Sequence, residues 1–211
     1  MVPSGIVSQG TSADQAGARR MSIAEWVALP EDEAGELVDG YLVEEEMPDM
    51  AHEVVVSWLN WTLRSWIAGR GGFVAGSDAK FVVTPRSGRK PDLTVYLPGG
   101  AVPPRRGPVT VAPDIAVEVL SPTPRDARRD RIDKVAEYAA FGVRYYWIVD
   151  PEERSLEILE LGPDGHYARA LGATEGRVDP VPGCAELALD LDALWAEVAR
   201  LGPPTPGNEP G

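Results

Sequence analysis

Asp92, Glu118 and Lys134 are the side chains of this sequence whose types and surroundings could do chemistry together. Glu118 stands in the run Asp114 to Leu120 (DIAVEVL), where Ile115, Val117 and Val119 make one apolar face and Ala116 and Leu120 flank the glutamate on the other. An ionised carboxylate inside such a strand is costly unless a metal or a cation compensates it; an arginine at the sheet end would serve as well as a metal. Asp92 follows Pro91 at the mouth of the next run upstream, Leu93-Thr94-Val95. If the two runs are neighbouring strands, the pair offers the hard oxygen ligands that Mg²⁺ or Mn²⁺ prefers. Lys134 shares a helical stripe with Ala127, Tyr138 and Phe141. Beside two carboxylates and a metal it would orient an attacking water and stabilise charge developing on phosphorus. A surface pair with Asp130, one helical turn away, is the alternative.

These residues need elements to hold them. Ser22 and Glu25 form a capping box ahead of a short helix through Trp26, which Leu29-Pro30 stops. Glu36 to Glu45 carries Asp39-Gly40 between apolar arms, the signature of a tight hairpin. From Asp49, the positions Val54, Val55, Trp58, Leu59, Thr62, Leu63, Trp66 and Ile67 recur at helical spacing, with Gly69 and Gly71-Gly72 as the stop. Strands are expected over Phe73 to Val83, Asp92 to Leu97 and Asp114 to Leu120, then a helix from Asp126 to Phe141 ended by Gly142. Val143 to Val149 and Ser155 to Leu161 read as strands around a turn at Asp150-Pro151, and Leu191 to Arg200 as a closing helix. The order predicts an α/β fold: a mixed sheet flanked by helices, with an extra N-terminal hairpin and extra C-terminal strands. One domain is expected over residues 21–201, with residues 1–20 and the Pro/Gly-rich 202–211 as disordered tails.

Taken together, Pro91-Asp92, the segment Glu118-Val119-Leu120-Ser121-Pro122, Lys134 followed by Tyr138, and Gly142-Val143 through Tyr146-Trp147-Ile148-Val149-Asp150-Pro151 resemble the Uma2 family of the PD-(D/E)XK nuclease superfamily. The similarity covers about Ser22 to Leu161. It implies a restriction-endonuclease-like sheet, Asp92 and Glu118 as metal ligands for Mg²⁺ or Mn²⁺, the Val119 carbonyl as a further ligand, and hydrolysis of phosphodiester bonds in DNA. The sequence departs from the superfamily signature at Leu120, where a lysine is usual. In the Uma2 pattern that lysine comes from the following helix, the place of Lys134. His52 matches a helix histidine that binds metal in some related nucleases; a hydrogen bond at the helix start is its other reading. Glu36 matches the family's acidic residue before the hairpin turn and would orient a ligand or the lysine.

Composition narrows the alternatives. The single cysteine, Cys184, leaves no disulfide framework within the chain, and with no secretory or membrane-spanning stretch the sequence suggests a cytoplasmic protein without a membrane partner. A net charge of -13 opposes broad polyanion binding. The basic residues from Arg86 to Lys134, among them Arg89, Lys90, Arg125, Arg128, Arg129 and Arg131, allow a local basic face, of which the last four arginines would hold a nucleic-acid backbone. The Trp58, Trp61 and Trp66 group reads mostly as a helical core face. A nuclease-fold module that only binds nucleic acid or protein is the competing expectation, and a hydrolase of small phosphate esters a third. Homodimerisation is expected from the superfamily alone.

Overall fold

A computed structural model describes residues 19–30, 35–43, 48–121 and 129–203, with the backbone alone for 129 and 130. In chain order the elements are β1 (Arg19–Arg20), α1 (Ile23–Val27), β2 (Glu36–Val38), β3 (Tyr41–Val43), α2 (Met50–Ile67), β4 (Phe73–Ala75), β5 (Phe81–Val82), β6 (Gly88–Arg89), β7 (Leu93–Tyr96) and β8 (Ile115–Val119). A π-helical turn (Arg129–Asp133) leads into α3 (Lys134–Phe141), followed by β9 (Tyr145–Asp150), β10 (Ser155–Leu161), β11 (Tyr167–Ala173), β12 (Arg177–Val178), β13 (Leu189–Asp190) and α4 (Leu191–Val198).

The main sheet has the order β11-β10-β9-β8-β7-β4, with β8 and β9 parallel and the other pairs antiparallel. A parallel pair needs a long crossover, and the chain between β8 and β9 supplies it with the π turn and α3. Because β8 lies inside the sheet with both faces covered, its run is apolar on both sides. Ile115, Val117 and Val119 pack with Val55, Leu59, Leu63 and Ile67 of α2 and with Leu194 and Trp195 of α4. Ala116 and Leu120 join Tyr138, Val143, Tyr146 and Ile148 in a second cluster on the opposite face. The sheet is therefore mixed and flanked by helices, as the sequence pattern implies.

A second sheet, β1-β3-β2-β6-β5, is antiparallel throughout. Asp39 and Gly40 both have positive φ, 49° and 85°, so the tight turn joins β2 to β3. The ring of Trp26, buried with Met21 and Leu37, lies so close over Gly88 that a Cβ there would overlap it. Lys80 Nζ closes α1 by donating to the carbonyls of Trp26 and Leu29, both at 2.9 Å.

Several expectations need correction. The single strand expected over Phe73 to Val83 is two strands in different sheets, because the chain turns at Gly76 to Asp78, with Asp78 at φ 77°. Within Asp126 to Phe141 the described part begins at Arg129 as a π turn, since an α-helical period was assumed where the coil is wider. β6, β11, β12 and β13 carried no strand signal; β6, β12 and β13 are two residues each, too short for a period. Trp61 is 70% exposed and does not belong to the core stripe of α2. Of the expected tails, 1–20 and 202–211, residues 1–18 and 204–211 lie outside the described residues, as do Arg125 and Arg128, while Arg19–Arg20 are not a free tail but β1, paired with β3. Among the described residues no helix is long and apolar enough to cross a membrane.

Candidate active site at the end of the main sheet

The site lies at the C-terminal end of β8. In the β7/β8 register Leu93 faces Val117, so the next step along brings Asp92 opposite Glu118. The second sheet does the same for another pair: Leu37 faces Gly88, and the adjoining step sets Glu36 beside Arg89. α3 then contributes Lys134, Glu137 and Tyr138. Asp133 precedes α3 with no side-chain cap, and Gly142, in the left-handed conformation at φ 96°, ends it with amide bonds to the carbonyls of Tyr138 and Ala139. Lys134 and Tyr138, one α-helical turn apart, fall on the same face.

On that face the charges alternate. Glu118 Oε1 accepts from the Tyr138 hydroxyl at 2.6 Å and lies 3.1 Å from Lys134 Nζ. Lys134 Nζ is 3.5 Å from Glu36 Oε2, which accepts from Arg89 Nη1 at 2.8 Å, while Glu36 Oε1 accepts from the Lys90 amide at 2.8 Å. Arg89 Nε donates to Glu137 Oε2 at 2.6 Å. Glu36 and Arg89 are fully buried, and Glu118 and Lys134 are each 3% exposed, so Lys134 is not a surface residue; the side chain of Asp130, its expected surface partner, lies outside the described residues. A cation that compensates Glu118 is Lys134, 3.1 Å away.

Burial alone would push the Glu36 carboxyl up. The charges of Lys134 and Arg89, with the hydrogen bonds from Lys90 and Arg89, outweigh it and hold Glu36 down at about 2. Burial likewise works against the charge on Arg89, but Glu36 and Glu137 raise its pKa. The Tyr138 phenol is pushed well above its ordinary value, first by burial and then by the charge of Glu118, so it remains a proton donor to that carboxylate.

Asp92 sits in different surroundings. Its Oδ2 accepts from the Val119 amide at 2.7 Å and lies 3.3 Å from His52 Nε2. His52 is placed by the start of α2, where Asp49 Oδ1 accepts the His52 amide at 2.8 Å as the N-cap. Burial opposes the imidazolium, but the hydrogen bond and charge of Asp92, followed by the charges of Glu53 and Asp49, raise its pKa. His52 Nδ1 is buried without a hydrogen bond, and Glu53 Oε1, on an exposed side chain, is 3.7 Å away. The helix-start hydrogen bond is made by the His52 amide, which leaves the imidazole beside Asp92.

The donor set suits a hard divalent cation: two carboxylates and an imidazole, with the Asp92 and His52 donor atoms already neighbours. Among the described residues, no three His, Cys, Asp or Glu side chains are gathered at one point. Glu118 is held toward the lysine and Asp92 toward the histidine. For Val119 the engaged group is the amide, bonded to Asp92.

Arg131 Nη2 is 3.0 Å from Asp150 Oδ2, and Arg86 Nε is 2.9 Å from Asp39 Oδ1. With Arg89 and Lys134 internal, the described basic residues between Arg86 and Lys134 do not all share one exposed face. Arg89 and Glu137 are the residues that sequence reasoning missed. The usable signal was the i, i+3 spacing of Lys134 and Glu137; Arg89 meets Glu36 only through the register of β2 with β6.

The fold defined by this sheet and its crossover helix is shared with a solved structure described as that of a putative nuclease belonging to DUF820 from Anabaena variabilis. It is 21% identical, with a TM-score of 0.66, over 84% of this chain and 99% of that one. The family model Uma2, described as a putative restriction endonuclease, matches residues 23–192, and the chain belongs to that family. Among curated proteins, none matches.

Proposed function

We propose that the protein is a divalent-metal-dependent endonuclease that hydrolyses phosphodiester bonds in DNA. The observation that carries this reading is the buried Lys134 ammonium, held 3.1 Å from Glu118 at the strand end where Asp92 meets His52. Membership of a family described as a putative restriction endonuclease, and a fold shared with a protein described as a putative nuclease, support it.

Asp92, Glu118 and His52 would hold Mg²⁺ or Mn²⁺, with the Val119 carbonyl as a further candidate ligand. Bound there, the cation would supply Lewis acidity toward a phosphoryl oxygen and the attacking water. Lys134, set between two carboxylates, stabilises negative charge as it builds on the phosphate and orients a water toward phosphorus. Glu36 stops the ammonium from settling wholly on Glu118. Tyr138 fixes one oxygen of Glu118, which leaves the carboxylate a defined orientation. Arg131 and the arginines preceding it would contact the nucleic-acid backbone.

The test is incubation of plasmid, linear duplex, single-stranded DNA and RNA with the wild type and with Glu118→Ala, in Mn²⁺, Mg²⁺ or EDTA at low salt. Cleavage of circular plasmid by the wild type with metal, and by neither the variant nor the EDTA sample, is the expected result. Absence of cleavage of every substrate by folded wild type would overturn the proposal. One observation favours a second reading, a binding module without catalysis: Glu118 is already compensated by Lys134 and Tyr138. A Mn²⁺ titration separates the two, since the enzyme requires binding that Asp92→Ala abolishes.

A further inference from the structure

We infer that Arg89 is a positioning residue that sets the Lys134 ammonium, by bracketing the strand that carries Glu36 and the helix that carries the lysine. Its guanidinium is fully buried and uses two different edges: Nη1 on Glu36 Oε2 at 2.8 Å and Nε on Glu137 Oε2 at 2.6 Å. Glu36 belongs to β2 of the second sheet, and Glu137 lies three residues beyond Lys134 on α3. One rigid planar group therefore fixes both the carboxylate facing the ammonium and the rotation of the helix from which the lysine projects.

The π turn ahead of Lys134 gives this bracket a purpose. A π turn alters the angular phase of the helix that follows, and Asp133 provides no side-chain cap to fix where α3 begins. The rotation of α3 is fixed instead by what its side chains hold: Tyr138 on Glu118 and Glu137 on Arg89. Without Arg89, Glu36 would be a buried carboxylate whose remaining close side-chain cation is Lys134. The ammonium, now 3.5 Å from Glu36 and 3.1 Å from Glu118, would shift toward Glu36. That displaces the charge from the place where the phosphate must develop its own. A lysine at position 89 would restore a charge but not the two-edged geometry.

The kinetic part rests on the nuclease reading, so the experiment pairs kinetics with a direct signal from the ammonium. Lys80, Lys90 and Lys134 are the lysines of the chain, which makes the ¹⁵N-detected Lys134 Nζ signal assignable. In Arg89→Gln we expect kcat on plasmid to fall about 10²-fold with little change in KM, as misplacement by about 1 Å can do. The Lys134 Nζ signal should shift, and its protons should exchange faster. Arg89→Lys should recover only part of the loss, and Glu137→Gln, which leaves the Arg89–Glu36 pair in place, should lower kcat about tenfold. A folded Arg89→Gln with wild-type kcat and an unchanged Lys134 signal would overturn the inference, as would full recovery in Arg89→Lys. Should neither Arg89 variant fold, Glu137→Gln decides: wild-type kcat with an unmoved signal refutes the bracket. If the wild type cleaves nothing, the nuclease reading fails and the Lys134 signal in these variants alone decides whether Arg89 positions the lysine.

Discussion

Asp92 and Glu118 stand one register step beyond the same strand pair, yet their surroundings differ in kind. Glu118 begins an alternating chain of charges running Glu118, Lys134, Glu36, Arg89, Glu137, and also accepts from the neutral Tyr138 hydroxyl. Asp92 is at the rim, with an 18% exposed side chain, a backbone amide and a histidine. Removing one partner from a buried charge pair strands the other, whereas a rim carboxylate can be rehydrated. The inner carboxylate thus organises the site, and the outer one has more to gain from a cation.

The largest separation between the two should appear in catalysis and stability measured together. Asp92→Ala and Glu118→Ala are both expected to reduce cleavage by at least about 10²-fold, and Lys134→Ala by about 10²- to 10³-fold, in plasmid assays with Mn²⁺. Equal activity in wild type and all three variants would dissolve the comparison. In urea denaturation, Glu36→Ala is expected to cost about 3–5 kcal/mol, because it strands Arg89 and Lys134, while Asp92→Ala costs about 1 kcal/mol. Similar costs for the two would show that the inner chain of charges is not the stronger constraint.

Acid sharpens the contrast further. Glu36 is held at about 2 in the folded protein against an ordinary value of 4.5, so its folded pKa is depressed. Its contribution is therefore fully present above about 4.5 and is lost as pH falls from there toward 2. The urea midpoint of the wild type should drop across that window. That of Glu36→Gln should drop less, and equal slopes would contradict the assignment. The smallest effect is expected at the rim: His52→Gln should weaken Mn²⁺ binding about tenfold in a calorimetric titration, with the fold kept.

What could be read in advance follows from the range of the interactions. The Asp39-Gly40 turn, the Ser22 to Glu25 capping box and the stripe Val55, Leu59, Leu63, Ile67 are local patterns, and each forms as its residues dictate. Glu118 was legible because a charge in an apolar run is anomalous wherever the run lies. Arg89 was not, because nothing near it in sequence marks it as buried; its partners are 53 and 48 residues away. The break at Asp78 lies in Gly76-Ser77-Asp78, three turn-forming residues between the apolar ends of Phe73 to Val83, so a signal for it was present and reading the segment as one strand passed over it. The π turn was missed because a period of 3.6 was imposed on a coil that does not have it.

The long reach of the charge chain has a consequence for biosynthesis. Chains emerge N-terminus first, and contacts distant in sequence close late. Once β8 has left the ribosome, Glu36 and Arg89 can already meet, but Glu118 has neither its lysine nor its tyrosine until α3 follows. A growing chain therefore carries an incomplete chain of charges through most of its synthesis, and Glu118 gains these partners only with the helix that also seals the second core.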